Sequence, residues 1–189
     1  MKKATIIAAL LISSAATFAQ TWTVDKAHSR LGFNVTHLTV AELGGTFNTI
    51  DAKLTASNPD FTDAVVELTA DVNSINTDNE QRDGHLKTAD FFDAAKFPNL
   101  TFKSTSFKKV GDKKYKVSGN LTLHGVTKPV VLDVVFNGTT TNPMSKKTIA
   151  GFKITGVIKR SEFGIAPSMP AAMLSDEVAL QASTEFAKD

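Results

Sequence analysis

Apolar and polar residues alternate with a period of two along most of this chain. Leu31, Phe33 and Val35 alternate with Arg30, Gly32, Asn34 and Thr36, and Ala64, Val66, Leu68, Ala70 and Val72 share one parity against Glu67, Thr69 and Asp71. Leu100 and Phe102, then Val117, Leu121 and Leu123, repeat the pattern. So do Val130, Leu132, Val134 and Phe136, then Ala150, Phe152, Ile154 and Ile158, and finally Val178, Leu180 and Ala182. Such alternation predicts strands with one buried and one wet face, which favours antiparallel pairing. Turn signals at Ser57-Asn58-Pro59-Asp60, Gly111-Asp112-Lys113, His124-Gly125, Asn137-Gly138 and Asn142-Pro143 separate the runs. They delimit eight strands near 21–38, 40–56, 61–74, 98–108, 114–124, 126–138, 147–160 and 175–187.

Short strands in series with hairpin-length links predict an all-β closed barrel or sandwich. Eight strands close into a barrel just wide enough for one small ligand. One segment departs from the pattern. Thr77-Asp78-Asn79-Glu80 has the spacing of a capping box and predicts a short helix from about Asp78, between the third and fourth strands. Arg82 to Phe92 then forms a lid carrying Leu86, Phe91 and Phe92. A second irregular stretch, Ser161 to Ser175, holds Phe163, Pro167, Met169, Pro170, Met173 and Leu174. No internal repeat or linker marks a second domain.

Alternation alone fits a barrel greasy inside or a membrane barrel greasy outside. Composition separates them. The chain has 13 Phe but one Trp and one Tyr, whereas membrane barrels carry Trp and Tyr girdles. Phe suits a dry interior, and the mid-strand charges Glu67, Asp71, Lys103, Lys153 and Lys159 fall on the opposite face. The pattern does not separate a filled core from a cavity, and taken alone it favours the filled core. Small inward residues (Ala64, Ala70, Gly119, Ala150, Gly156 and Ala182) either leave room for a ligand or let large neighbours interdigitate.

The first residues predict an export signal instead of part of the fold. Met1-Lys2-Lys3 is positive, Ala4 to Ile12 is apolar but too short to span a bilayer, and Thr17-Phe18-Ala19 resembles a cleavage site. Residues 1–19 are therefore expected to be removed, leaving 20–189 as one barrel domain, periplasmic or secreted. Removal also cancels the net charge. The 21 basic residues lose Lys2 and Lys3, leaving 19 against 19 acidic ones. A balanced charge gives no support to nucleic-acid binding. The absence of cysteine excludes thiol catalysis and Cys-based metal sites.

Little in the sequence carries catalytic chemistry. The four histidines, His28, His37, His85 and His124, form no metal-binding spacing. Their plain role is hydrogen bonding at strand ends and in the lid; their functional role is contact with a ligand head group. Ser29 and Ser161 lack the context of a nucleophile. Arg82 and Asp83 are expected to tie the lid to the barrel. Arg160 is placed equally as a structural ion pair or as a contact for a phosphate. No catalytic residue, cofactor or metal is assigned.

The ordered blocks Trp22-x-Val24-Asp25-x-x-His28-Ser29, Phe33-x-Val35-x-His37-Leu38 and Gly45-x-Phe47 resemble the opening of the YceI-like family. Arg82-Asp83-Gly84-His85-Leu86-Lys87-x-x-Asp90-Phe91-Phe92, Gly119 to Lys128, Arg160-Ser161-Glu162-Phe163-Gly164 and Ser175 to Val178 match its later blocks. The resemblance implies an eight-stranded, lipocalin-like antiparallel barrel, exported to the periplasm, which binds a polyisoprenoid, a quinone or another long amphiphile. It implies no reaction. A cytochrome b-type protein and a second copy of the chain stand as candidate partners.

With that resemblance the cavity becomes the preferred reading. The expected lumen is lined by Leu31, Phe33, Val35, Val66, Leu68 and Leu100, together with Phe102, Leu121, Leu123, Phe152, Ile154 and Leu180. Phe91, Phe92 and Phe97 are expected to cover one mouth, with His37 and Arg160 as head-group contacts. Two other readings stay open: a stress-protective interaction module with a packed core, and an enzyme acting on a prenyl lipid through His37, His85 or His124.

Overall fold

A computed structural model describes residues 19–189. The predicted export signal lies, apart from Ala19, outside the described residues. The strands are β1 (Gln20–Val24), β2 (Arg30–His37), β3 (Ala41–Phe47), β4 (Ile50–Ala56), β5 (Val65–Asp71), β6 (Ile75–Asn76), β7 (Asn99–Gly111), β8 (Lys114–Leu123), β9 (Val126–Thr141), β10 (Thr148–Lys159) and β11 (Glu177–Lys188). One helix, α1 (Glu80–Leu86), follows β6.

All pairings are antiparallel, and β1 closes the sheet by pairing with both β4 and β11. The closed circuit β1-β4-β5-β7-β8-β9-β10-β11 is an eight-stranded barrel. Three of its staves are broken in the middle. The lower part of β11 pairs with β1 (Val24 opposite Phe186) and its upper part with β2 (Leu31 opposite Ala182), so β1 and β2 continue one another. In the same way β3 leads into β4, and β5 leads through the 3-10 turn Val72–Ser74 into β6. The predicted strands 21–38, 40–56 and 61–74 therefore mark real staves, each interrupted once.

Side chains satisfy the backbone at these breaks, as buried ladders require. In the first, the Asp25 carboxylate accepts from Ala27 N at 3.0 Å, and Ser29 Oγ accepts from Glu185 N at 3.0 Å. In the second, Ser74 Oγ accepts from Thr49 N at 2.9 Å. Asn137-Gly138, predicted as a turn, lies inside β9. The register between β9 and β10 slips there, so this is a bulge, and Gly138 takes φ 123°.

The greasy parity faces inward. Phe102, Val117, Leu121, Val134 and Phe152 are buried. The opposite parity carries exposed cross-strand ion pairs, Lys103–Glu67 at 2.7 Å and Lys116–Asp133 at 2.7 Å. This is the reverse of an outer-membrane barrel.

The two ends of the barrel differ. At the end holding the β4–β5, β7–β8 and β9–β10 links, Phe61 is buried among Trp22 (5.4 Å between ring centroids), Phe136 (5.1 Å) and Phe152 (5.2 Å). Tyr115 packs beside this plug and donates its hydroxyl to the Asp60 carbonyl at 2.6 Å. The opposite end carries α1 and the long β10–β11 connection. The helix starts later than the capping-box spacing predicts. Asn79, in extended conformation, is the N-cap and accepts from Arg82 N at 2.9 Å. Thr77 instead donates to the Asp83 carboxylate through its N–H at 2.9 Å and also through its hydroxyl.

Candidate functional site

Inward alternation around a closed circuit leaves a space that the wall's own side chains do not fill. The lumen encloses about 610 Å³, within the range of ligand-binding cavities. A packed core is thereby excluded. The floor is formed by Phe152 and Phe186, with the Phe61 plug packed behind Phe152, and the mouth lies between α1, the β2–β3 turn and the β10–β11 connection. Leu31, Phe33, Val35, Val66, Leu68, Leu100, Phe102, Leu121, Leu123, Phe152, Ile154 and Leu180 all line it, and so do Phe91 and Phe92 at the mouth. Phe92 packs edge-on against Phe47 at 5.9 Å, and Phe91 lies under the His85 ring at 4.9 Å.

Phe97 corrects the expectation. Its ring lies against the β8–β9 turn, 5.0 Å from the His124 ring, where Gly125 leaves it space. A Cβ at Gly125 would stand 2.4 Å from the Phe97 ring. Phe97 braces that turn and is absent from the lumen wall.

Most of the small inward residues serve interdigitation. The Phe102 ring fills the space over Gly119, and Leu132 fills that over Gly156. Ala64, Ala70 and Ala150 are buried in the core, and of the six small residues only Ala182 faces the lumen.

Arg160 is a second correction. It borders the lumen but is only 4% exposed. Its Nε donates to Ser175 O at 3.1 Å, and Nη1 to Ile165 O and Ala166 O. Its Nη2 donates to Met169 O at 2.7 Å and Leu174 O at 3.0 Å. All five guanidinium N–H groups are thus spent on carbonyls of the β10–β11 connection, and none is free for a head group. The residue pins the rim. Beside it, the Ser161 hydroxyl and N–H hold the Asp176 carboxyl below the usual carboxylate range.

His37 does stand at the mouth, exposed and lining the lumen. Arg82 and His85 line the lumen as well; sequence reasoning assigned His85 a head-group role among the four histidines but Arg82 only the task of tying down the lid. Arg82 Nε and Nη2 bond Thr77 Oγ1 and Thr77 O at 2.7 and 2.6 Å. This fixes the lid to Thr77, the residue that follows β6, and leaves Nη1 without a partner among the described residues. The helical placement of Arg82 and His85, three residues apart and hence on one face, was the available signal. Met169, Met173 and Leu174 also line the lumen, and Leu38 and Val40 stand exposed on the rim. Val130, Leu132 and Val134, of one parity in the sequence, complete the wall.

The remaining histidines lie elsewhere. His124 Nδ1 bonds the Phe163 carbonyl at 3.1 Å. His28 lies on the outside of the break between β1 and β2, with Nδ1 2.9 Å from the Asp25 carboxylate. That bond raises the His28 pKa above its ordinary value and lowers that of Asp25. Glu185 brings a further carboxylate oxygen within 4.8 Å of this pair.

A closed antiparallel barrel, plugged at one end and enclosing an apolar lumen that opens at the other, defines a lipocalin-like barrel. Residues 22–186 match the YceI-like domain. The chain belongs to the YceI-like family. It is 39% identical over 181 residues to Protein YceI of Salmonella newport, covering 95% of this chain and 93% of that protein. The crystal structure of a Campylobacter jejuni YceI protein is similar at TM-score 0.75 and 34% identity, over 82% of this chain and 90% of that one. A polyisoprenoid binding domain from Saccharophagus degradans shares the fold at TM-score 0.67 and 17% identity, over 90% of this chain and 99% of that one.

Proposed function

We propose that this protein is an exported, non-catalytic carrier that holds one long apolar lipid, a polyisoprenoid or quinone, in its lumen. The observation that carries this reading is the cavity of about 610 Å³, walled almost wholly by apolar side chains inside a barrel whose outer face is charged. Each buried CH₂ contributes about 0.8 kcal/mol, so a hydrocarbon chain reaches useful affinity with few polar contacts. Polar groups gather at the mouth, where Arg82, His85 and His37 suit a head group. The ligand named for the Saccharophagus degradans domain, on the same fold, is of this class. The leader-like residues 1–19 support export to the periplasm.

A displacement titration tests the reading. A fluorescent long-chain lipid should bind the purified barrel and be displaced by a polyprenol. Failure of any long-chain probe to bind would overturn the carrier role. Cell fractionation tests export: the processed chain belongs in the periplasmic or secreted fraction, and retention in the cytosol would contradict that part.

A further inference from the structure

The floor of the lumen contains one hydroxyl that hydrocarbon cannot satisfy. Thr184 lies on β11 opposite Phe152 of the floor, two residues before Phe186. It faces the lumen and is only 6% exposed. Its Oγ1 has no hydrogen-bond partner among the described residues. The other buried polar side chains are engaged. Ser104 Oγ accepts from Val66 N at 2.8 Å, Thr77 from Arg82, and Arg160 is fully bonded. A buried hydroxyl without a partner is destabilising, and valine would fill the same volume with no such loss. The hydroxyl rotates freely and can either donate or accept.

We infer that Thr184 is a specificity-determining contact, and that the natural ligand places an oxygen-bearing terminus, a hydroxyl or a carbonyl, at the floor of the lumen. This rests on the carrier reading and adds a chemical requirement to it. A chain ending in plain hydrocarbon leaves Thr184 unpaired; a chain oxidised at its far end, or a quinone inserted ring first, pairs it. The two sources share the same oxygen chemistry at the same depth.

The test compares the full-length wild-type barrel with Thr184→Val. One arm uses a length series of ω-hydroxy fatty acids against the parent fatty acids. The other uses a short-chain quinone against the prenyl hydrocarbon of the same chain, which carries no oxygen. Wild type should bind at least one oxygen-terminated probe roughly tenfold more tightly than Thr184→Val does, with no loss for the plain-ended probes. The arm showing this effect identifies the source. The variant should melt no lower than wild type when ligand-free, which separates a lost contact from a damaged fold. Equal affinities of the two proteins for every probe would overturn the assignment and leave the carrier reading intact. If no probe binds wild type, the carrier reading itself falls.

Discussion

Phe61 meets Trp22 edge-on at 5.4 Å between ring centroids, and this contact closes one end of the barrel. Phe61 is 2% exposed and takes φ 59°, a left-handed conformation that is costly for a bulky side chain. The surrounding rings hold it there. Phe61→Ala is expected to cost about 3–5 kcal/mol in urea unfolding, the range for loss of a buried phenyl. Trp22 is the only tryptophan, so its emission should shift to the red as water reaches the floor. An unshifted emission with unchanged stability would show that Phe61 does not seal that end.

Ala182 is a small residue facing the open lumen. Ala182→Phe should fill space instead of disrupting packing, so thermal stability should hold or rise. Affinity for a long-chain lipid should fall at least tenfold. Unchanged affinity with a folded barrel would place the ligand elsewhere.

Arg160 and Arg82 both border the lumen and should respond differently. Arg160→Lys replaces five donors in a planar fork by three on a point charge. It leaves rim carbonyls unpaired, at an expected cost of about 3 kcal/mol, and should expose the β10–β11 connection to proteolysis. Arg82→Gln should leave the β10–β11 connection protected and weaken binding of a prenyl phosphate more than that of the matching prenol. Equal weakening for both lipids would remove Arg82 from the head-group site.

The Asp25–His28 bond makes a defined contribution to pH dependence. The folded-state pKa of His28 is raised, so its share of stability is fully present below the ordinary histidine value of 6.5 and is lost as pH rises through the folded value. The folded-state pKa of Asp25 is lowered, so its share is present above 3.8 and is lost as pH falls through the folded value. The bond is therefore strongest between these limits. NMR titration should find His28 above 6.5 and falling toward the ordinary value in Asp25→Asn, with the Glu185 carboxylate still favouring the charged ring. A His28 midpoint unmoved by that change would show that the bond does not form in solution.

The lumen wall was legible in the sequence because period-two alternation reports which face of a strand is buried. Every wall residue it named on β2, β5, β7, β8, β10 and β11 faces the cavity. The breaks in the staves were not legible. They depend on Ser29 bonding Glu185 and Ser74 bonding Thr49, partners distant in sequence. Asn137-Gly138 carries turn chemistry that a bulge uses equally well. Arg160 shows a charge in the sequence but not the five carbonyls that occupy it. Phe61, next to a turn motif, reads as a strand residue, and only the closed barrel makes it a plug behind the floor. Thr184 continues the inward parity of Leu180 and Ala182, and its orphaned hydroxyl appears only once the neighbours are in place.

Native mass spectrometry of the protein, released gently from cells and never exposed to detergent, tests the lumen's role most directly. One lipid of several hundred daltons or more is expected to be bound per barrel, lost on denaturation and depleted in Ala182→Phe. A bare polypeptide mass from wild-type cells, together with no uptake of added polyprenol or quinone, would contradict it.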